Sequence, residues 1–128
     1  MNQRTTLIWA CLFGATGVMI GAFGAHALKP ALEASGRLDT FETAVKYQFY
    51  HTFALLAVGI MMYHTGKRAL HYAALLFTLG ILFFSGSLYV LCATGIGVLG
   101  AVTPLGGVLF IAGWFTTLWA VWKKQDVA

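Results

Sequence analysis

Long uncharged stretches dominate the pattern of polar and apolar positions along the chain. Residues 5–28, 47–66 and 69–122 contain no Asp, Glu, Lys or Arg, which gives runs of 24, 20 and 54 residues. An α-helix needs about 20 mostly apolar residues to cross the roughly 30 Å hydrocarbon core of a bilayer. The first two runs each hold one span, and the third holds two spans and a turn.

This pattern predicts a single all-α domain, an integral membrane bundle of four antiparallel transmembrane helices. The continuous apolar runs are too few, and alternate too little, for a membrane β-barrel. The charge-rich residues 30–46 connect the first two helices. The predicted spans are residues 7–28, 47–64, 70–93 and 104–122.

Boundary signals refine these spans. Lys29-Pro30 predicts the end of helix 1, because the residue before proline is disfavoured in the α region. Asp39-Thr40-Phe41-Glu42 has capping-box spacing and predicts that helix 2 begins near Asp39, outside the membrane. Gly66 and Gly95 are the expected left-handed caps of helices 2 and 3. Thr103-Pro104 has the form of an N-cap followed by proline at the first helical position.

The composition supports lipid as the surrounding medium. The chain of 128 residues is 59% hydrophobic and 9% charged, whereas a soluble domain is about 25% charged. The net charge of +4 does not indicate nucleic acid as a partner, because the cations lie at helix ends, where they meet lipid head groups. The lipid bilayer is therefore the predicted partner.

Lysine and arginine counts predict the orientation, because cytoplasmic loops carry an excess of these residues. One side holds five cations and the other three, so both termini are expected in the cytoplasm. The five are Arg4, Lys67, Arg68, Lys123 and Lys124, and the three are Lys29, Arg37 and Lys46. A cleaved signal peptide ending at Ala25-His26-Ala27 is an alternative, but the apolar stretch before it is longer than usual.

Helix 1 carries a stripe of four glycines, Gly14, Gly17, Gly21 and Gly24. Their spacing of 3, 4 and 3 places them on one helix face. Small residues allow the close backbone contact that holds helices together in lipid. We expect this face to pack inside the bundle; the alternative is a homo-oligomer that forms through the same face.

Polar residues within the predicted spans gather in the outer half of the membrane. Each must find a partner, because an unsatisfied polar group in hydrocarbon costs several kcal/mol. We expect an interhelical hydrogen-bond cluster; a shallow outward-facing pocket for a lipid head group or small solute is the alternative. The residues are His26, Gln48, His51, Ser85, Ser87, Tyr89 and Thr103.

Enzymatic and cofactor chemistry receive less support from the residues. His26 and His51 lie on separate helices without Cys or carboxylate at ligand spacing, which is a poor signature for metal or haem. A proton-coupled role for these two histidines is an open alternative. Ser85 and Ser87 could offer a nucleophile, but no membrane-buried carboxylate would orient a histidine base. We therefore expect no catalytic residues, metal or cofactor.

Four motifs in order resemble a known family. They are Gly21-Ala22-Phe23-Gly24-Ala25-His26, Tyr47-Gln48-Phe49-Tyr50-His51, Phe84-Ser85-Gly86-Ser87-Leu88-Tyr89, and Thr103-Pro104-Leu105-Gly106-Gly107 with Gly113-Trp114. Together they resemble the uncharacterised inner-membrane family called domain of unknown function 423, related to eukaryotic transmembrane protein 256. The resemblance covers nearly the whole chain and implies a small bacterial cytoplasmic-membrane protein. It supplies no established catalytic or binding residues.

Three hypotheses for function follow. The leading one is a non-enzymatic structural or interaction protein that supports membrane or envelope integrity. The first alternative is a binder or carrier of a lipid or small hydrophobic solute that uses the outer polar cluster. The second is a redox or proton-coupled subunit that uses the two histidines.

Overall fold

The computed structural model describes residues 1–123, and within them every regular element is helical. The all-α prediction is therefore confirmed for this part of the chain. The elements are α1 (Gln3–Ala25), α2 (Lys29–Ala34), α3 (Leu38–His64), α4 (Arg68–Thr94), a 3₁₀ helix (Gly97–Ala101) and α5 (Thr103–Trp122).

Three helices are long and apolar enough to cross a membrane: Gln3–Ala25, Arg68–Thr94 and the continuous segment Gly97–Trp122. The remaining long helix, α3, spans 27 residues but is less apolar. Charged residues occupy its first turns, and the polar residues Gln48 and His51 lie in the turn that follows.

The first connection differs from the prediction. α1 begins at Gln3, where the Asn2 side chain accepts a 2.8 Å hydrogen bond from the Thr5 amide, and it ends at Ala25 rather than at Leu28. Lys29-Pro30 does not end this helix but begins α2. Proline suits a first helical turn, where its missing N–H has no partner to lose.

Two predicted caps are not formed. α3 begins at Leu38, close to Asp39, but Asp39 lies inside the first turn and no side chain caps the helix. α3 ends at His64 and is followed by Thr65 in an extended conformation (φ −145°), so Gly66 is not a left-handed cap. Gly95, in contrast, is the predicted left-handed cap, with φ 73°.

Thr103 is also not the predicted N-cap. It lies within the first turn of α5, after Val102, and makes no capping bond. Its hydroxyl instead lies 2.8 Å from the Ser87 hydroxyl of α4. The side chain therefore joins two helices rather than capping one.

The long helices contact one another in the order α1, α3, α4, α5. Along the first pair, a Cβ on Gly59 would meet Leu7, one on Gly17 would meet Phe49, and one on Gly24 would meet Phe41. The contact position thus falls along α3 as it rises along α1. α3 lies between α1 and α4, which places the most polar long helix between two more apolar ones.

The glycine stripe of α1 faces α3. An added Cβ would lie 3.0 Å from the Phe49 ring at Gly17 and 3.4 Å from Val45 at Gly21. Gly14 is looser, with Thr52 at 3.8 Å. The stripe therefore packs inside the chain. A homo-oligomer through the same face stays a prediction, and it would have to compete with α3 for these contacts.

Glycines and phenylalanines interlock α4 with α5. The Phe110 ring of α5 occupies the space where Gly80 of α4 lacks a side chain, at 2.5 Å from a notional Cβ. Conversely, the Phe77 ring of α4 lies 2.7 Å from the corresponding point on Gly113 of α5. Because lipid provides little hydrophobic drive between helices, such close contacts supply dispersion energy that the bilayer does not.

Gly106 makes the tightest backbone contact of this pair. A Cβ there would lie 2.4 Å from the Phe84 amide nitrogen and 2.7 Å from Phe84 Cα. No side-chain rotation relieves that overlap, so the two helices would have to separate. The adjacent Gly107 is a natural control, because its Cβ would lie 4.0 Å from the nearest Phe84 ring atoms.

We predict that Gly106→Ala lowers the free energy of unfolding by about 1–3 kcal/mol, the usual range for an overpacked site. Gly107→Ala should be neutral or stabilising by up to about 1 kcal/mol, because alanine is the better helix former. Thermal unfolding of both variants in detergent micelles measures the difference. Equal midpoints would contradict the close approach of α4 and α5.

Candidate functional site

Gln48 is the centre of a hydrogen-bonded group that joins three helices. Its side chain is 3% exposed and lies on α3. Nε2 donates to the Phe13 carbonyl oxygen of α1 at 2.8 Å and to the Thr16 hydroxyl at 3.1 Å. Oε1 accepts a 2.6 Å hydrogen bond from the Tyr89 hydroxyl of α4. One amide therefore ties α3 to both of its neighbours.

His51, one turn further along α3, joins α3 to α5. Its ring lies parallel to the Phe110 ring, with 3.4 Å between centroids and 6° between planes. Nδ1 lies 2.8 Å from the Tyr47 carbonyl oxygen, which can only accept, so Nδ1 carries the proton. Nε2 then accepts from the Trp114 indole N–H at 3.2 Å. These partners define a neutral imidazole with both nitrogens engaged.

The serines of α4 complete the set. The Ser85 hydroxyl is fully buried and donates to the Ala44 carbonyl oxygen of α3 at 2.7 Å. Ser87 is bonded to Thr103 of α5 and also donates to the Phe84 carbonyl oxygen at 3.0 Å. Both hydroxyls are thus used in contacts between neighbouring helices.

We call these linked side chains the interhelical network. Its members are Thr16, Gln48, His51, Ser85, Ser87, Tyr89, Thr103 and Trp114. Across residues 1–123, every buried side-chain nitrogen or oxygen has a hydrogen-bond partner. This satisfaction is what a hydrocarbon environment requires of polar side chains.

The structure does not bring His26 to the other predicted site residues. It caps the C-terminal end of α1 through its backbone N–H, and its side chain is exposed. The surface depression beside it is lined by Val18, Met19 and Phe23, among others. His51 has an unrelated set of aromatic neighbours, so the two histidines do not share a site.

Two network members escaped the sequence analysis. Thr16 lies among apolar residues of α1, and only the tertiary structure places it opposite Gln48. Trp114 was noticed as part of a motif but not as a partner of His51. Its indole is half exposed while its N–H is bonded, and an indole N–H in an apolar span is a signal that a partner is needed.

The described residues hold no group of three or more His, Cys, Asp or Glu side chains placed to bind a metal ion. His51 would have to give up its bond with Tyr47 or Trp114 to become a ligand. Cys11 and Cys92 are both free thiols.

A groove lies between α1 and α4, which contact each other much less than either contacts α3. Its larger section has a volume of about 570 Å³ and is bounded by α1, α2, α3 and α4. A narrower section of about 220 Å³ continues toward the middle of α1, with Gln48 and Tyr89 in its lining. Both sections share Ile20 and Tyr89, so we treat them as one feature, the α1–α4 groove.

The outer surface of the long helices is apolar. Exposed side chains on α5 include Phe115 (66%) and Trp122 (82%), and α1 and α3 expose Phe23 and Phe53. Soluble proteins rarely expose so many large apolar side chains to water. With three helices able to cross a membrane, the fold defines an all-helical membrane protein in contact with the lipid bilayer.

Comparison with known proteins places this membrane protein in a family. The family described as "Protein of unknown function (DUF423)" matches residues 20–107. A UPF0382 membrane protein of Staphylococcus saprophyticus is 45% identical over 121 residues, covering 94% of this chain and 99% of the relative. The UPF0382 inner membrane protein YgdD of Escherichia coli K12 is 37% identical over 114 residues, covering 89% of this chain and 86% of the relative.

The chain therefore belongs to the DUF423 (UPF0382) family of membrane proteins. The resemblance seen in the four sequence motifs is confirmed. No solved structure matches the chain significantly.

We predict that Gln48→Leu and Tyr89→Phe are coupled. Gln48→Leu leaves the Tyr89 hydroxyl without its acceptor and should cost about 1–3 kcal/mol of unfolding free energy. Tyr89→Phe should cost less, because one bond to Gln48 is lost and two remain. Since both changes break the same contact, the double variant should cost less than the sum.

Unfolding of the four proteins in detergent micelles, followed by circular dichroism, measures this coupling. Thr116→Val is a control that removes a part-buried hydroxyl bonded only to the Ala112 carbonyl oxygen of its own helix. Strict additivity of the two network changes would contradict the Gln48–Tyr89 bond.

Proposed function

We propose that the protein crosses the bacterial cytoplasmic membrane with four antiparallel spans and has both termini in the cytoplasm. The relatives named as inner membrane proteins support this location. The opposite progression of contacts along α1 and α3, and along α4 and α5, supports the antiparallel arrangement.

Exposed apolar side chains support α3 as the fourth span. Phe53 (62%) and Ile60 (52%) project from the uncharged part of this helix, along with Leu56. That part, residues 47–64, is about 27 Å long at 1.5 Å per residue, close to the hydrocarbon thickness. Gln48 and His51 are buried instead in the interhelical network, where α1, α4 and α5 cover them.

The positions of the cations support the orientation. Lys67, in the turn between α3 and α4, donates to the Ala120 carbonyl oxygen at 2.7 Å and also to the Lys123 carbonyl oxygen. The end of α5 and the α3–α4 turn therefore lie on one side. Arg37 donates to the Leu91 carbonyl oxygen at 3.0 Å, which joins the start of α3 to the end of α4 on the other side. The first side carries the larger number of cations.

We further propose a structural or interaction role, without catalysis, that supports the integrity of the membrane or envelope. The observation that carries this proposal is the complete pairing of buried polar side chains within residues 1–123. The polar groups stabilise the arrangement of the helices, and the surface offers apolar side chains to lipid or to other membrane proteins.

A second candidate function is the binding of a lipid or small hydrophobic solute. The α1–α4 groove favours it, because a volume of about 570 Å³ lies within the range of small-molecule sites. The interhelical network itself is a weaker binding site, since its buried polar atoms already have hydrogen-bond partners.

We predict that a thiol introduced at Gly66 and one at Lys123 are labelled from the same side of the membrane, and that one at Glu33 is labelled from the other. A Cβ at Gly66 meets nothing within 4 Å, so this substitution should leave the fold intact. Cys11→Ala and Cys92→Ala provide the background. Impermeant maleimide applied to intact cells and to inverted membrane vesicles makes the measurement.

Opposite accessibility of the Gly66 and Lys123 positions would contradict the four-span topology. Reversal of all three positions would instead preserve the spans and overturn only the orientation.

We predict that a host lacking its own copy of the gene leaks more under osmotic challenge. Hydrolysis of an externally added galactoside by cytoplasmic β-galactosidase measures the leak. The wild-type gene should restore the barrier, and so should His51→Gln, because the amide keeps a donor and an acceptor. Gly106→Ala should restore it less well.

Two outcomes would contradict the structural role. One is a deletion strain whose barrier is unchanged. The other is a folded His51→Gln protein, present at wild-type level, that restores nothing, because that result would assign the function to the imidazole itself.

A further inference from the structure

We propose that the α1–α4 groove holds one acyl chain of a glycerophospholipid from the leaflet on the α2 side. This inference rests on the second candidate function and names its ligand class. It follows from the shape, depth and continuity of the groove.

The groove runs parallel to the helix axes. Along α1 its lining extends from Phe23 in the larger section to Phe13 in the narrower one. Along α4 it extends from Ala93 to Ile81. Steps of ten to twelve residues at 1.5 Å each give a length of about 15–18 Å, which is about half of the roughly 30 Å hydrocarbon core.

The groove therefore reaches from one membrane surface to the bilayer midplane, as an acyl chain of one leaflet does. A compact solute would not need this depth.

The wall of the groove continues the lipid-facing surface. Phe23 is 60% exposed and Leu28 is 43% exposed, and both line the larger section. Lipid chains that contact this surface therefore have direct access to the groove. The floor is formed by Phe41 and Tyr89, whose rings lie 5.5 Å apart.

The groove opens at the end of α2, where Ser35 lines its mouth. Lys29 begins the same helix but lines a neighbouring depression between α1 and α3. The acyl chain, rather than the head group, is therefore the part of the lipid that the groove holds.

Selectivity for the groove does not come from the hydrophobic effect, because an acyl chain in the bilayer is already out of water. It comes from dispersion contacts. A chain in a concave groove touches protein on several sides, whereas a chain on a convex helix surface touches it on one. The bound chain should therefore exchange more slowly than its neighbours in the bilayer.

Native mass spectrometry of the full chain, released from mild detergent, tests the proposal. We expect one glycerophospholipid per chain on the wild-type protein. Ala93→Phe, which fills the groove, should lower this retention by at least about tenfold, a change equivalent to about 1.4 kcal/mol. Ala22→Phe is the matched control on α1, at an exposed position outside the groove, and should retain the lipid.

The native thiols provide a second measurement that requires no variant. Cys92 lines the groove, and Cys11 lies exposed on α1 outside it. Adding 1-palmitoyl-2-oleoyl phosphatidylglycerol in mixed micelles to delipidated protein should slow alkylation of Cys92 severalfold and leave Cys11 unchanged.

Three results would overturn the inference. If the wild-type protein retains no phospholipid and the alkylation rate of Cys92 does not change, both the lipid proposal and the second candidate function are contradicted. Equal retention of the lipid by Ala93→Phe and Ala22→Phe would show that it binds to another surface of the protein. A bound compound of another class that Ala93→Phe displaces would reject the phospholipid but keep the binding function.

Discussion

Helices surrounded by hydrocarbon gain little by hiding apolar side chains from lipid, and this constraint underlies the whole structure. What remains to hold them is close contact and hydrogen bonding. The chain uses both between α1 and α3 and between α4 and α5. Gly24 admits the Phe41 ring between α1 and α3, and Gly106 lets α5 approach the Phe84 backbone of α4. Gln48 adds hydrogen bonds from α3 to α1 and α4.

The same constraint explains why α3 has a long helix on each side. Gln48, His51 and Thr52 lie within its span, and each would be costly if it faced lipid. Flanking by α1 and α4, together with the ring of Phe110 over His51, removes that exposure. The helices α1 and α5, at the two ends of the contact order, present many of their aromatic and aliphatic side chains to the bilayer.

The interhelical network and the α1–α4 groove suggest different kinds of function. In the network, the buried donors and acceptors have partners on side chains or on backbone carbonyls, and even His51 has a partner on each ring nitrogen. That arrangement favours a structural role over redox or proton chemistry. The groove lies where α1 packs against α3 and makes few contacts with α4. Its lining is mostly apolar, which favours a lipid chain over a polar metabolite.

The sequence by itself determined the helical class, the membrane environment, the family and the identity of most polar network members. These properties depend on composition and on uncharged run length, which are local. Helix ends were less predictable. Proline is compatible both with the end of one helix and with the first turn of the next, and here Pro30 lies in the first turn of α2. Partners were decided by tertiary structure alone. Thr16 opposite Gln48, Trp114 on His51, and the separation of His26 all depend on how helices rotate and cross, and spacing along one helix carries no information about the helix that faces it.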